Sequence, residues 1–136
     1  MRIIFDNNIW ISFLIGKRLS ALRSLFGRDD VKVYYCDELE HEFLEVSHRP
    51  KILKYVSEEQ IVRVHRLMRE FCQKADATIN IKTDAVRDPK DFYLLSLADA
   101  IRADYLVSGD ADLTDLQKHN KTRIVDFNTA ISLLPL

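Results

Sequence analysis

Apolar residues fall into two textures that alternate along the chain. Short continuous runs at Ile3-Ile4-Phe5 and Tyr105-Leu106-Val107 read as strands buried on both faces. Val31 to Tyr35, β-branched and aromatic, reads as another strand, as do Thr78 to Ile81 and Arg123-Ile124-Val125. Between them the apolar residues take helical spacing. Trp10, Phe13 and Leu14 follow Asp6-Asn7-Asn8, which are cap and turn residues. Leu19, Leu22, Leu25 and Phe26 follow next, with Gly27 as a stop. Asp37 can cap a helix running to about Ser47, and Arg49-Pro50 ends it. A turn of helix is expected over Ile52 to Val56. Ser57 with Gln60 has the spacing of a capping box, and the helix it opens carries Ile61, Val64, Met68, Phe71 and Cys72 on one stripe. Asp88-Pro89 opens a helix with Leu94, Leu95, Ala98 and Ile101 inward. A short helix around Asp112 to Lys118 and a last one over Ala130 to Leu134 complete the chain. Strands alternating with helices predict one domain over residues 1–136: a three-layer α/β/α sandwich around a parallel sheet of about five strands.

Composition narrows the class without deciding it. The 136 residues are 47% hydrophobic and 30% charged, with three Gly and three Pro, as in an ordinary globular domain with tight connections. Cys36 and Cys72 are isolated among apolar neighbours, which predicts buried thiols and a reducing, cytoplasmic setting rather than a disulfide framework. The apolar stretch Ile9 to Ile15 is too short to span a membrane. A net charge of −1 gives no support to a nucleic-acid binder by itself. It changes meaning if several acids cluster in one place, because the rest of the surface is then basic.

Such a cluster is what the pattern suggests. In open α/β sheets ligands bind outside the carboxyl ends of the strands. Asp6 ends the first strand, and Asp110 follows Tyr105-Leu106-Val107, with Asp112 two residues on. Glu42 falls on the apolar stripe of Leu39, Phe43 and Val46, and Asp91 lies one turn before Leu94 and Leu95. A carboxylate on a buried face is costly unless paired or bound to a cation. Oxygen ligands of this kind suit Mg²⁺ or Mn²⁺. His41, His48, His65 and His119 show no metal-ligand spacing.

The acids lie in segments that resemble a known family. Ile4-Phe5-Asp6-Asn7-Asn8-Ile9 resembles the opening hydrophobic-Asp-Thr-Asn motif of PIN domains. Glu42-Phe43-Leu44-Glu45-Val46 with Arg49-Pro50-Lys51 resembles the second-acid helix of a bacterial PIN subfamily of toxin components. Arg87-Asp88-Pro89-Lys90-Asp91 resembles the third-acid segment, and Ala103 to Leu113, with Ser108-Gly109-Asp110, the fourth and most specific. The resemblance implies an acidic quartet of Asp6, Glu42, Asp91 and Asp110, with Asp112 as a further metal-site acid and Asn7, Asn8 and Ser108 in support. Asn7 stands where the family usually has Thr or Ser.

The resemblance also implies Mg²⁺- or Mn²⁺-dependent cleavage of single-stranded RNA, leaving a 5′-phosphate and a 3′-hydroxyl. It implies a cognate antitoxin and homodimerisation; the short apolar stretches, for their part, predict no membrane association. Lys17, Arg18, Arg87 and Lys90 are candidate phosphate contacts, with Arg49, Lys51 and Arg102 as further ones. Trp10 is expected in the core rather than as a base-stacking platform. Two other classes are compatible with the sequence: a PIN-like domain that binds metal or RNA without cutting, and a small phosphatase using Asp110-Ala111-Asp112.

Overall fold

Ile3, Ile4 and Phe5 have no polar face, so the strand they form must be covered on both sides. That strand, β1 (Arg2–Phe5), stands inside the sheet, in parallel with β2 (Lys32–Tyr35) on one side and β4 (Tyr105–Val107) on the other. A computed structural model describes residues 1–16, 19–76 and 91–133. Among these residues the sheet has six strands in the order β3-β2-β1-β4-β6-β5, where β3 is Gln73–Lys74, β5 Lys118–His119 and β6 Thr122–Val125. All neighbours are parallel except β5 and β6. The chain steps outward from β1 through β2 to β3, then crosses back to β4 on the far side of β1. The sheet therefore reverses direction between β1 and β4, and the crevice at the carboxyl ends of these two strands is where a fold of this kind accepts a ligand.

Helices α1 (Asn7–Leu14) and α2 (Leu19–Phe26) connect β1 to β2. Helices α3 (Asp37–Ser47), α4 (Pro50–Leu53) and α5 (Glu58–Phe71) connect β2 to β3, and α1, α3 and α5 pack against one another. α6 (Phe92–Ile101) precedes β4 and packs on β1. Because parallel crossovers are right-handed, a return in the opposite direction delivers α6 to the other face. The expected α/β/α layering with a mostly parallel central sheet is the architecture observed. α7 (Ala111–Thr114) and α8 (Phe127–Leu133) complete it.

The core is aromatic where α1 meets the sheet. Phe5 and Phe13 meet edge to face at 5.4 Å, Trp10 and Phe13 at 5.7 Å, and Phe127 of α8 meets Phe13 at 5.5 Å. Trp10 is fully buried, so it belongs to the core. α5 starts as its sequence directs: Gln60 N–H donates to Ser57 Oγ and Gln60 Oε1 accepts from Ser57 N–H.

Three expectations are corrected, and a fourth falls outside the described residues. The strand expected at Thr78 to Ile81 lies outside the described residues. The outer strand observed is Gln73–Lys74, immediately after the C-cap of α5 at Cys72. The helix expected over Asp112 to Lys118 stops at Thr114, because Gln117 turns left-handed (φ 61°) and Asn120 does so again (φ 51°), folding Lys118–His119 back as an antiparallel edge hairpin. Phe71 leaves the α5 stripe and is 53% exposed, stacked on Phe26 at 5.2 Å. In α3 the buried line is Leu39, Phe43 and Ser47, and Val46 turns toward the flank that carries Glu42.

The aromatic cluster predicts that Phe13→Ala costs about 4 kcal/mol, since it opens a cavity at a site that cannot collapse. Phe71→Ala is expected to cost about 1 kcal/mol. Urea unfolding with an unchanged slope checks both values, and equal costs would contradict the assignment of Phe13, not Phe71, to the core.

Candidate active site

Asp6 owes its position to the ladder. Its N–H donates to the Val107 carbonyl at 2.9 Å, and the N–H of Ser108 donates to the Val125 carbonyl at 2.9 Å. Pairing thus runs one residue past the strands and sets the Asp6 and Ser108 side chains beside each other. Asp6 is also the N-cap of α1, with Oδ1 accepting from Ile9 N–H at 3.0 Å. Its other oxygen, Oδ2, accepts from Ser108 Oγ. Ser108 Oγ in turn accepts from Asp110 N–H at 3.0 Å, and Asp110 caps α7 by accepting from Asp112 N–H at 2.9 Å. One hydroxyl therefore links the two strand-end acids.

The helix-borne acids arrive from opposite layers. Glu42 is half-buried on the flank of α3, and its carboxylate accepts from Tyr93 Oη of α6. Asp91, buried at 9% exposure, is the N-cap residue of α6. Asp6, Glu42, Asp91 and Asp110 line one cleft of about 210 Å³, together with Asn7 and Asn8. A larger cavity of about 390 Å³ lies beside Ala98 and Arg102, but among the described residues only one carboxylate, Asp99, lines it.

The electrostatics of the cleft follow from burial. Desolvation pushes Asp6 up to about 6, against the opposing pull of Ser108 Oγ and Ile9 N–H, while Asp110 and Glu42 push it further. Burial, and the bond to Glu42, hold the Tyr93 phenol well above its usual range, so it remains a donor. Among the described residues no three His, Cys, Asp or Glu side chains are already arranged to hold a metal ion. The donor set nonetheless fits a hard divalent cation: it is entirely oxygen, it converges on one cleft, and burial makes Asp6 resist ionising. Mg²⁺ keeps several waters, so carboxylates need not all touch it.

Other expected residues are distributed less favourably. Asn7 is buried, and among the described residues its Oδ1 has no hydrogen-bond partner. Asn8 is exposed at the cleft edge. Asp112 is exposed and does not line the cleft: its backbone, not its carboxylate, serves the site by binding Asp110. Lys17, Arg18, Arg87 and Lys90 lie outside the described residues. Arg102, at the C-cap of α6, sits near the amino ends of the strands and away from the acids. Lys51 is exposed and does not line the cleft, whereas Arg49 lines it. His48, His65 and His119 pair with Glu58, Glu40 and Asp99. Tyr93 was not anticipated. Its signal was an aromatic residue two positions after Asp91, indistinguishable in sequence from the core residues of α6.

The sequence matches the family model described as PIN domain over residues 2–112. The chain belongs to the PIN-domain family. PIN domains are generally nucleases and typically use divalent metal ions. No curated protein matches the chain. Among solved structures it is similar to a chain in the crystal structure of VapBC2 from Rickettsia felis bound to a DNA fragment from the promoter. The identity is 15%, the TM-score 0.61, and the match covers 91% of this chain and 97% of that one, which is a likeness of fold. No helix among the described residues of this PIN domain is long and apolar enough to cross a membrane.

The cost of ionising Asp6 predicts a pH dependence. Its folded-state value of about 6 lies above the ordinary 3.8, so the stability its proton contributes is fully present below about pH 4 and is lost as pH rises through 6. Without divalent ions, Asp6→Asn should gain on the parent by about 1.4 kcal/mol between pH 5 and pH 8. Urea unfolding of both proteins in EDTA at the two pH values measures this, and a pH-independent difference would contradict it.

Proposed function

We propose that this PIN domain is a metal-dependent endoribonuclease that hydrolyses phosphodiester bonds of single-stranded RNA, as the toxin of a toxin–antitoxin pair. The observation that carries the reading is the convergence of Asp6, Asp110, Glu42 and Asp91 on one cleft at the switch point of the sheet. The toxin role is supported by the resemblance of the Glu42 to Lys51 segment and by the fold shared with a chain of the VapBC2 assembly. It brings with it a cognate antitoxin, a homodimer and a cytoplasmic setting.

In this mechanism Asp6 and Asp110 hold the cation, with Glu42 and Asp91 completing its surroundings. Bound there, Mg²⁺ or Mn²⁺ supplies Lewis-acid charge neutralisation at the scissile phosphate. The protein positions the rest. Ser108 fixes Asp6 relative to Asp110, and Tyr93 holds the Glu42 carboxylate toward the cleft. Water adds to phosphorus and passes a proton to a cleft carboxylate, the bond from phosphorus to the 3′ oxygen breaks, and the departing 3′ oxygen takes a proton from solvent water to become the 3′-hydroxyl. No histidine or cysteine is needed: three of the histidines are engaged elsewhere, and burial pushes the Cys36 thiol up to about 12.

A second reading, a PIN-like domain that holds a cation without cutting RNA, draws on Asn7. Its amide oxygen, unpartnered among the described residues, stands where the family usually carries a hydroxyl.

Purified protein is expected to cut a fluorescent single-stranded RNA with Mn²⁺ or Mg²⁺ and to stop in EDTA. Asp6→Asn should lower the rate by at least about 100-fold, and Tyr93→Phe by about tenfold. Cleavage unchanged by EDTA and by Asp6→Asn would overturn the nuclease reading. A cation-dependent rise in melting temperature with no cleavage of any RNA would favour the second reading.

A further inference from the structure

A cleft walled by carboxylates repels a polyanion everywhere except at its cation. A basic group at its rim is needed if the strand is to lie across it. Among the described residues that line the cleft, Arg49 is the single basic side chain. We infer that Arg49 is the residue that grips an RNA phosphate next to the scissile one, and that Glu45 occupies its guanidinium until the phosphate displaces it. The inference rests on the nuclease reading and names the contact through which that site holds its substrate.

The backbone at Arg49 is fixed, and its side chain is half exposed. Pro50 follows and keeps Arg49 extended (φ −67°, ψ 142°) as the N-cap of α4. Its N–H donates to the Val46 carbonyl at 3.1 Å, and its own carbonyl accepts from Ile52 and Leu53 N–H at 2.9 and 3.0 Å. The side chain leaves this anchored point between α3 and α4, 51% exposed. The same helix flank carries Glu42 one turn before Val46, so Arg49 and the acid that Tyr93 holds border the cleft together.

Arg49 Nη2 lies 3.0 Å from Glu45 Oε1, and Glu45 is 68% exposed. An exposed pair of this kind holds weakly. A phosphate offers the guanidinium two oxygens in a forked geometry, which a single carboxylate oxygen does not match. Exchange of Glu45 for phosphate therefore favours the strand, while in the free protein Glu45 keeps the arginine from folding down onto the acids. A contact made equally in ground and transition states raises affinity without changing the chemical step.

Steady-state cleavage of a fluorescein-labelled oligouridylate with Mn²⁺, across a range of salt concentrations, tests this. Arg49→Ala is expected to raise KM by about tenfold with kcat changed less than about threefold, and to flatten the log–log salt dependence of KM by about 0.7, one phosphate contact on a single strand. Arg49→Lys keeps the charge, so it should keep the salt slope and recover part of the KM. Glu45→Gln should lower KM by about threefold at low salt. Lys121→Ala, at the opposite strand ends, is the control for unspecific loss of positive charge. An Arg49→Ala protein that melts like the parent and shows the parent's KM and salt slope would overturn the inference while leaving the nuclease reading intact. A slope lost equally in Lys121→Ala would overturn it too. A parent protein that does not cut RNA at all would bring down both.

Discussion

Everything at the cleft depends on one awkward group, a carboxylate at the end of a strand with no polar face. Asp6 has to follow Phe5 into a region that β2, β4 and two helix layers have already closed to water. The structure gives it donors from both sides, the first turn of α1 through Ile9 N–H and the turn after β4 through Ser108 Oγ. These bonds favour the ionised form, yet burial outweighs them and two further acids oppose it. The residue is thus held firmly in place, and among the described residues no basic side chain offsets its burial. A site of this kind trades stability for affinity toward a cation.

The rest of the fold can be understood as serving that position. β1 is central because Ile3, Ile4 and Phe5 demand cover on both faces. The chain then crosses β1 between β3 and β4, so the reversal point of the sheet and the Asp6 position coincide. α3 and α6, on opposite layers, close over that point and are tied across it by the Tyr93–Glu42 bond. The PIN-domain family match spans the same stretch of chain, from β1 to just beyond Asp110.

What was legible in the sequence follows from which forces are local. Strand-end acids were readable because a continuous apolar run fixes where a buried strand stops. The capping box at Ser57 was readable because both partners lie within one turn. The phase of α3 is readable only in part: its buried line includes Ser47, whose small side chain gives no hydrophobic signal, while Val46 is partly buried against the core and also lines the cleft with Glu42. The edge hairpin at Lys118–His119 was missed because it hangs on left-handed turns at Gln117 and Asn120, not on apolar periodicity. The Tyr93–Glu42 bond depends on where α3 and α6 meet, which no local pattern encodes; the Arg49–Glu45 pair is local, four residues apart, but its place at the cleft is again set by tertiary packing.

The central claim is that burial leaves Asp6 short of positive charge and that a divalent cation supplies it. Calorimetric titration with Mn²⁺ at pH 6, in two buffers of different ionisation enthalpy, tests this most directly. With Asp6 near its midpoint at that pH, saturable binding should release about half a proton, and both the release and most of the affinity should vanish in Asp6→Asn. Equal affinity and equal proton release in the two proteins would contradict the account.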